Sequence, residues 1–265
     1  MKKVVFSFLV DFDYQKSVVQ SIPLIKSIRN LGGSLKDSDI LLCHVGDIPS
    51  EYFDKVSNTK NLKFKKVNQF HKNHKHSNKL RILEQKEIFD YEFLCLLDCD
   101  TVVLDDISDS LIYGKIGAKI ADGKTINQSL FKKLFDLKNI NFPNEIFKTT
   151  NGLNTIAYCN AGVIIIDTKL TNFIDSWIDN TRWLCNNIDT LGSSRFFCEQ
   201  ASLSISLYQY GIEKYNELPK EMNFPSHMGL SINKKPKIVH YHDQLSKGKL
   251  KTPYTLINND INIIL

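Results

Sequence analysis

The 265-residue chain carries 34 Lys and Arg against 29 Asp and Glu, a formal net charge of +5, and is 42% hydrophobic. That composition suits an ordinary globular protein with a sizeable core, as one large domain or two small ones. The mild positive balance suits an anionic small molecule and does not call for nucleic acid, and no apolar run is long enough to span a bilayer.

The opening residues 1–10 have a charged start and an apolar stretch. The stretch is too short for a signal peptide, and Asp11 and Asp13 follow it with no small-residue cleavage site, so residues 4–10 read as a first strand. Asp13 is placed to cap a helix with Val18, Ile22, Ile25 and Ile28 inward. Pro23 should kink that helix, and Gly32 and Gly33 should end it. Residues 40–45 read as a second strand, 50–56 as a short helix and 62–67 as a third strand. This opening argues for an α/β domain with a mostly parallel sheet.

Residues 60–76 are rich in Lys and His, ending at His71, His74 and His76. With no acidic or cysteine neighbour in sequence, this stretch reads as a solvated basic loop rather than a metal site. Ser77 or Asn78 should cap a helix turning Leu80, Leu83 and Phe89 inward. Further strands are expected over 115–121, 160–167 and 236–242. Helices should carry Leu130, Leu134 and Leu137, then Phe173 and Trp177, then residues 197–210. Residues 139–156 lack periodicity and form a long loop suited to a lid. The six cysteines show no C-x-x-C pair and sit mostly in apolar surroundings, which favours buried free thiols in a reducing cytosol.

One stretch stands out for chemistry. Phe93 to Leu97 suit a strand buried on both faces, and Asp98 and Asp100 follow at once. Alternation along an extended chain would point both carboxylates the same way, making a hard oxygen site for Mg²⁺ or Mn²⁺. A turn-opening role is the plainer alternative.

Taken in order, the Asp98–Asp100 pair, the Asn160-Ala161-Gly162 entry to a strand, Glu199-Gln200 at a helix start and His240 on a late strand resemble the GT-A glycosyltransferases. The likeness is strongest to family 8, the glycogenin and bacterial lipopolysaccharide galactosyltransferase group, and runs over residues 4–250. It implies one Rossmann-like GT-A domain over 1–250 with a C-terminal tail at 251–265. It also implies a Mn²⁺-dependent transfer of a hexose from a UDP-sugar to an acceptor hydroxyl, with retention.

By the resemblance, Asp98, Asp100 and His240 hold Mn²⁺ (or Mg²⁺), and Lys247 contacts the diphosphate. Lys247 lies one residue further from His240 than the usual spacing, with Lys249 as a rival. Leu9, Val10, Asp11 and Tyr14 match positions around the uridine, and Lys79 stands where the family usually has arginine. Asp122, Asn160 and Ala161 fall at sugar-contacting positions. Glu199-Gln200 matches an Asp-Gln pair near the anomeric carbon. The usual Lys-Pro-Trp after the lysine is absent.

The chemistry accounts for these residue types. A cation and lysines neutralise a departing diphosphate, and Glu199, Gln200, Asp122 and Asn160 orient a sugar with oxocarbenium character. If configuration inverted, Glu199 or Asp122 would be the general base. Plainer readings stand beside these: turn residues for Asn160 and Asp122, a first-turn acid for Glu199, a core histidine for His240, packing for Tyr14 and a solvated helix lysine for Lys79. The implied partners are a nucleotide-sugar donor and a saccharide, lipid-linked or protein acceptor, in the cytoplasm or at the inner face of the membrane. Two rival functions remain. Leu97 to Thr101 is similar to the first motif of haloacid-dehalogenase-like phosphatases, though it lies late in the chain and lacks the glycine. A non-catalytic nucleotide-sugar-binding module is the other.

Overall fold

The computed structural model describes residues 2–230 and 234–242. Lys247, Lys249 and the tail at 251–265 therefore lie outside the described residues. In chain order the regular elements begin with β1 (Val4–Asp11), α1 (Gln15–Leu31), β2 (Asp39–Val45), α2 (Ser50–Val56), β3 (Leu62–Lys66), β4 (Phe93–Leu97), β5 (Thr101–Val103) and β6 (Ile116–Ile120). They continue with α3 (Gln128–Leu137), β7 (Phe147–Lys148), β8 (Asn154–Thr155), β9 (Cys159–Asp167), α4 (Thr171–Asn186), α5 (Cys198–Tyr210), β10 (Tyr215–Glu217), β11 (Phe224–Pro225) and β12 (Ile238–His240).

A seven-stranded sheet in the order β10-β6-β9-β4-β1-β2-β3 forms the centre. All pairs are parallel except those of β9, which runs antiparallel to both β4 and β6. The expected α/β domain with a mostly parallel sheet is what the chain builds. Strands β4, β6 and β9 are buried along their whole length, which explains their unbroken apolar runs. One face packs on α4 and α5 through Phe173, Trp177, Leu203 and Leu207. The other packs on α1 and α2 through Leu24, Ile28, Tyr52 and Val56.

Local details depart from expectation in three places. The first helix has Tyr14, not Asp13, at its N-cap, without a side-chain cap. Ser17 Oγ instead ties the turn together by donating to the carbonyls of Asp11 and Tyr14, at 2.8 and 2.9 Å. That helix runs on past Pro23, whose missing N–H frees the carbonyl of Val19, a solvent-exposed residue. Finally, the expected helix after Ser77 is a 3₁₀ helix, Lys75–Ile82, capped by the side chain of His74. Ser77, Asn78, Lys79, Leu80 and Ile82 are buried there; in the basic stretch before them Lys72, Lys75 and His76 are exposed as expected, and His74 is the histidine that is buried.

The sheet order fixes where a ligand can go. From β1 the chain proceeds outward to β2 and β3, then returns to place β4 on the other side of β1. That reversal leaves a crevice beyond the carboxyl ends of β1 and β4, the usual binding position in open α/β sheets. Asp11 ends β1 and Asp98 follows β4. Because β9 is reversed, its first residues, including Asn160, arrive at the same edge.

Candidate active site

A cleft of about 860 Å³ opens at this edge. It brings together Leu9, Asp11, Tyr14, Lys79, Asp98, Asp100, Asp122, Asn160, Glu199, Gln200 and His240 from the residues expected at a site. Two expected residues are not brought in by their side chains. Val10 packs into the core, because alternation along β1 turns it away from the face that Leu9 and Asp11 share. Ala161 is buried on the sheet, although its carbonyl accepts from Lys79 Nζ at 3.2 Å.

Asp98 and Asp100 do not continue an extended strand. Thr101 N–H donates to the Asp98 carbonyl at 3.2 Å, closing a tight turn. Both carboxylates still reach the cleft, while Cys99 turns inward, its thiol donating to the Leu9 carbonyl at 3.1 Å. The two acids have different partners. Asp98 is bound by Lys79 Nζ at 2.5 Å. Asp100 faces His240 Nε2 at 3.1 Å and His242 Nδ1 at 3.7 Å.

Lys79 is buried, so it is no solvated helix lysine. Burial opposes its charge, but Asp98 and Glu199 outweigh that and raise its pKa. Glu199 does stand in the first turn of α5, as the plainer reading had it. It is also buried at the cleft wall, and its Oε2 has no hydrogen-bond partner among the described residues. Burial raises its pKa despite Lys79 and His74 nearby.

The placement of His240 follows a chain of amides. Asn160 Oδ1 accepts from Gly162 N–H at 2.8 Å, and a backbone N–H is always the donor. Asn223 therefore presents its NH₂ to the same oxygen, at 3.1 Å. Its own Oδ1 then faces His240 Nδ1, at 3.1 Å, which must carry the proton. The remaining nitrogen, Nε2, points at Asp100. Burial disfavours a charge on His240, but Asp100 and Asp98 overcome it and raise its pKa. The same contacts hold the Asp100 carboxyl below its usual range against its own burial. Gly162 is required here by close approach, since a Cβ would lie 2.3 Å from His240 Cε1. The β6–β9 pairing slips at this point, from Ala118↔Ile164 to Lys119↔Asn160, and the bulge releases the Ala161 carbonyl to Lys79.

Asp122 lies across the cleft, its Oδ1 held by Lys119 at 2.5 Å and by Thr150 Oγ1 at 2.9 Å. It also faces His227 and His242, their ligand atoms all lying within 4.8 Å of one another. His242 is thus shared between Asp100–His240 and Asp122–His227. It has φ of +52°, a conformation that costs a non-glycine residue about 1 kcal/mol or more and clusters at functional sites. Gln20 Nε2 anchors its carbonyl at 2.8 Å.

A cation fits this donor set. Asp100, His240 and His242 offer one oxygen and two ring nitrogens whose atoms all lie within 4.8 Å of one another. Five carboxylates line the cleft (Asp11, Asp98, Asp100, Asp122 and Glu199) against three lysines. A divalent cation would balance these acids and draw an anionic ligand to them.

His227, His242 and Asn223 were not singled out from sequence. The signal available for His242 was its position two residues from His240, which in a strand means the same face. His76 and Phe196 also line the cleft, with ring centroids 4.2 Å apart. Desolvation and the Lys79 charge lower the His76 pKa to about 4.

Residues 46–211 match the Rhodobacterales glycosyltransferase domain. The chain belongs to this glycosyltransferase family. It is therefore an enzyme of glycosyl transfer, and the phosphatase and non-catalytic readings fall away. No curated protein sequence matches it. Solved structures show the same GT-A fold at low identity. The galactosyltransferase LgtC, solved with donor and acceptor sugar analogues, aligns with a TM-score of 0.63 at 13% identity, over 98% of this chain and 95% of that one. GlyE from Streptococcus pneumoniae TIGR4 gives 0.60 at 18% identity, over 100% of this chain and 61% of that one. The bifunctional glycosyltransferase WbbM gives 0.58 at 16% identity, over 91% of this chain but 46% of that one. This glycosyltransferase thus spans about half the length of WbbM. Among its described residues no helix is long and apolar enough to cross a membrane.

Proposed function

We propose that this glycosyltransferase moves a hexose from a UDP-sugar to an acceptor hydroxyl with the help of a divalent cation, Mn²⁺ by preference. The observation that carries the reading is the convergence of Asp100, His240 and His242 in a carboxylate-rich cleft at the sheet's reversal point. Asp98 would join the cation once Lys79 turned to a phosphate. When bound there, a divalent ion supplies Lewis-acid stabilisation of a departing diphosphate.

The chain's own residues would divide the remaining work. Asp11 Oδ2 is buried without a hydrogen-bond partner among the described residues, with Lys75 Nζ 3.9 Å away, an acceptor for a base N–H. Tyr14, half-exposed beside it, offers a ring for the base to stack on. Lys79, and Lys247 outside the described residues, would contact the diphosphate. Leu9, Val10 and Ala161 would shape the donor pocket, the last two through their backbone. Glu199, Gln200, Asp122 and Asn160 line the side where the sugar would lie, ready to bind hydroxyls and fix its pose. Retention follows by analogy with family 8, and inversion would recruit Glu199 or Asp122 as base. The acceptor is a saccharide, a lipid-linked saccharide or a protein.

A screen of nucleotide-sugars for thermal stabilisation, with and without Mn²⁺, tests this directly. We expect a UDP-sugar to raise the melting temperature only with the metal, and to be hydrolysed slowly in the absence of acceptor. Stabilisation by UDP-sugars that is indifferent to metal would overturn the cation's role. Selective stabilisation by another nucleotide would overturn the donor.

A further inference from the structure

A second cluster lies beneath the cleft and outside the machinery described above. His74, Cys185 and Cys198 come from three separate elements: the cap of the Lys75–Ile82 helix, the last turn of α4 and the first residue of α5. Their relative exposures are 6%, 2% and 0%, and their ligand atoms all lie within 4.8 Å of one another.

The two sulfurs are 3.6 Å apart, well beyond the ~2.05 Å of a disulfide. Two thiolates on one tetrahedral zinc, each about 2.3 Å from the metal, stand roughly 3.7 Å apart. The separation therefore suits a shared ion. His74 supplies the second observation. In the ion-free protein its Nδ1 accepts from Ser77 N–H at 3.2 Å, which puts the ring proton on Nε2, a buried atom with no hydrogen-bond partner among the described residues; ligation through Nε2 moves that proton to Nδ1, 2.6 Å from Ser77 Oγ. A bound ion would give that buried nitrogen a partner. Ser77 Oγ is 2.6 Å from His74 Nδ1 and 3.3 Å from Cys185 Sγ, an oxygen close enough to offer a fourth position.

We infer that His74, Cys185 and Cys198 form a structural site for a soft divalent cation, zinc by its ligand chemistry, separate from the Asp100 centre. Binding takes the two thiols as thiolates and releases their protons to solvent. The bound ion joins the helix that carries Lys79 to the start of α5, which carries Glu199 and Gln200. It also clamps both ends of residues 185–198, the stretch that delivers Phe196 and Phe197 to the cleft.

The test uses the full chain, stripped of metal under reducing conditions and titrated with cobalt(II). We expect one equivalent to produce the intense near-ultraviolet thiolate-to-cobalt absorption, and zinc to bleach it. The band should persist in Asp100→Ala and disappear in Cys185→Ser. Cobalt uptake without the thiolate band in the wild-type protein would overturn the proposal, whether or not the serine variant folds. A band that survives Cys185→Ser would overturn it equally. Recovery of Cys185 and Cys198 as a disulfide that blocks metal uptake from gently purified protein, with no metal taken up after reduction, would also do so.

Discussion

The two halves of the cleft floor solve the same problem differently. Asp98 and Asp100 are two residues apart and both face the cavity, yet Asp98 is neutralised by a buried lysine and Asp100 by histidines. A lysine is charged at any physiological pH, so the Asp98 half carries its counter-charge permanently. A histidine can surrender its proton and turn its nitrogen to an incoming cation. Without ligand, the first half is therefore a paired ion and the second a donor set that titrates; under the proposed function Asp98 becomes available only when Lys79 leaves it for a phosphate.

The sharpest way to break that contrast is Lys79→Met. It strands Asp98 and Glu199 beside an apolar chain; losing one partner of a fully buried pair costs about 3–5 kcal/mol, and with Asp98 partly exposed the cost here should lie at or below the low end of that range. We expect a denaturant midpoint lowered accordingly, with much of the loss recovered on adding Asp98→Asn. An unchanged midpoint in the single variant would show that Lys79 is not the fixed counter-charge. In the other half the expected pattern reverses. Asp100→Ala should change stability by only about 1 kcal/mol, the scale of one hydrogen bond. Its cation-dependent turnover should fall by about 10²–10³-fold, as when a transition-state charge loses its stabiliser. Steady-state kinetics against metal concentration checks this, and full activity with a normal metal response would dissolve the distinction.

Asn223→Ala sharpens the contrast further. Asn223 does not touch Asp100, but it bonds Asn160 and fixes which nitrogen of His240 faces Asp100. Outer-shell partners of this kind are worth about 10–100-fold in metal affinity. We expect weaker manganese binding by that factor, with turnover at saturating metal reduced less. Metal affinity equal to wild type would mean that Gly162 and the surrounding packing orient the ring unaided.

The parts legible in the sequence were those set by short-range rules. Fully buried strands announced themselves as apolar runs, as in Phe93–Leu97 and Cys159–Asp167, and acids at the end of such a run implied a site. The direction of β9 was not legible, because a strand buried on both faces looks the same whichever way it runs. His74 was misplaced with the solvated loop because its cysteine neighbours lie more than a hundred residues away in sequence. Asn223 was invisible for a related reason: its role depends on a relay through Asn160 that no local spacing encodes. Asp98 and Asp100 were picked out together and both reach the cleft, but for Lys79 the donor-contact and solvated-lysine readings stood side by side, since burial of a charge is settled by tertiary contacts alone.

The smallest expected effect lies far from the cleft and checks that the pH response of the fold is distinct from that of the site. Asp106 accepts from Ser34 N–H at 2.5 Å and from Ser108 N–H at 2.7 Å, tying the end of α1 to the segment after β5. Gly33 next to Ser34 has φ of +60°, and a Cβ there would lie 2.5 Å from the Asp106 side chain, so the contact is close. Desolvation works against the Asp106 charge, but the hydrogen bonds from Ser108 and Ser34 win and hold its pKa below the usual value. A carboxyl with a depressed folded-state pKa contributes stability above its unfolded value near 3.8 and loses it as pH falls through the folded value. Asp106→Ala should therefore lower the melting temperature by a few degrees at pH 7, and the gap from wild type should close progressively below about pH 4. Because the side chain is only partly buried, salt and water screen the charge in part, and the hydrogen bonds carry most of the effect. Melting curves from pH 3 to 8 measure it. A gap that stayed constant across that range would mean that the Asp106 charge contributes nothing and that the lost contact is purely steric.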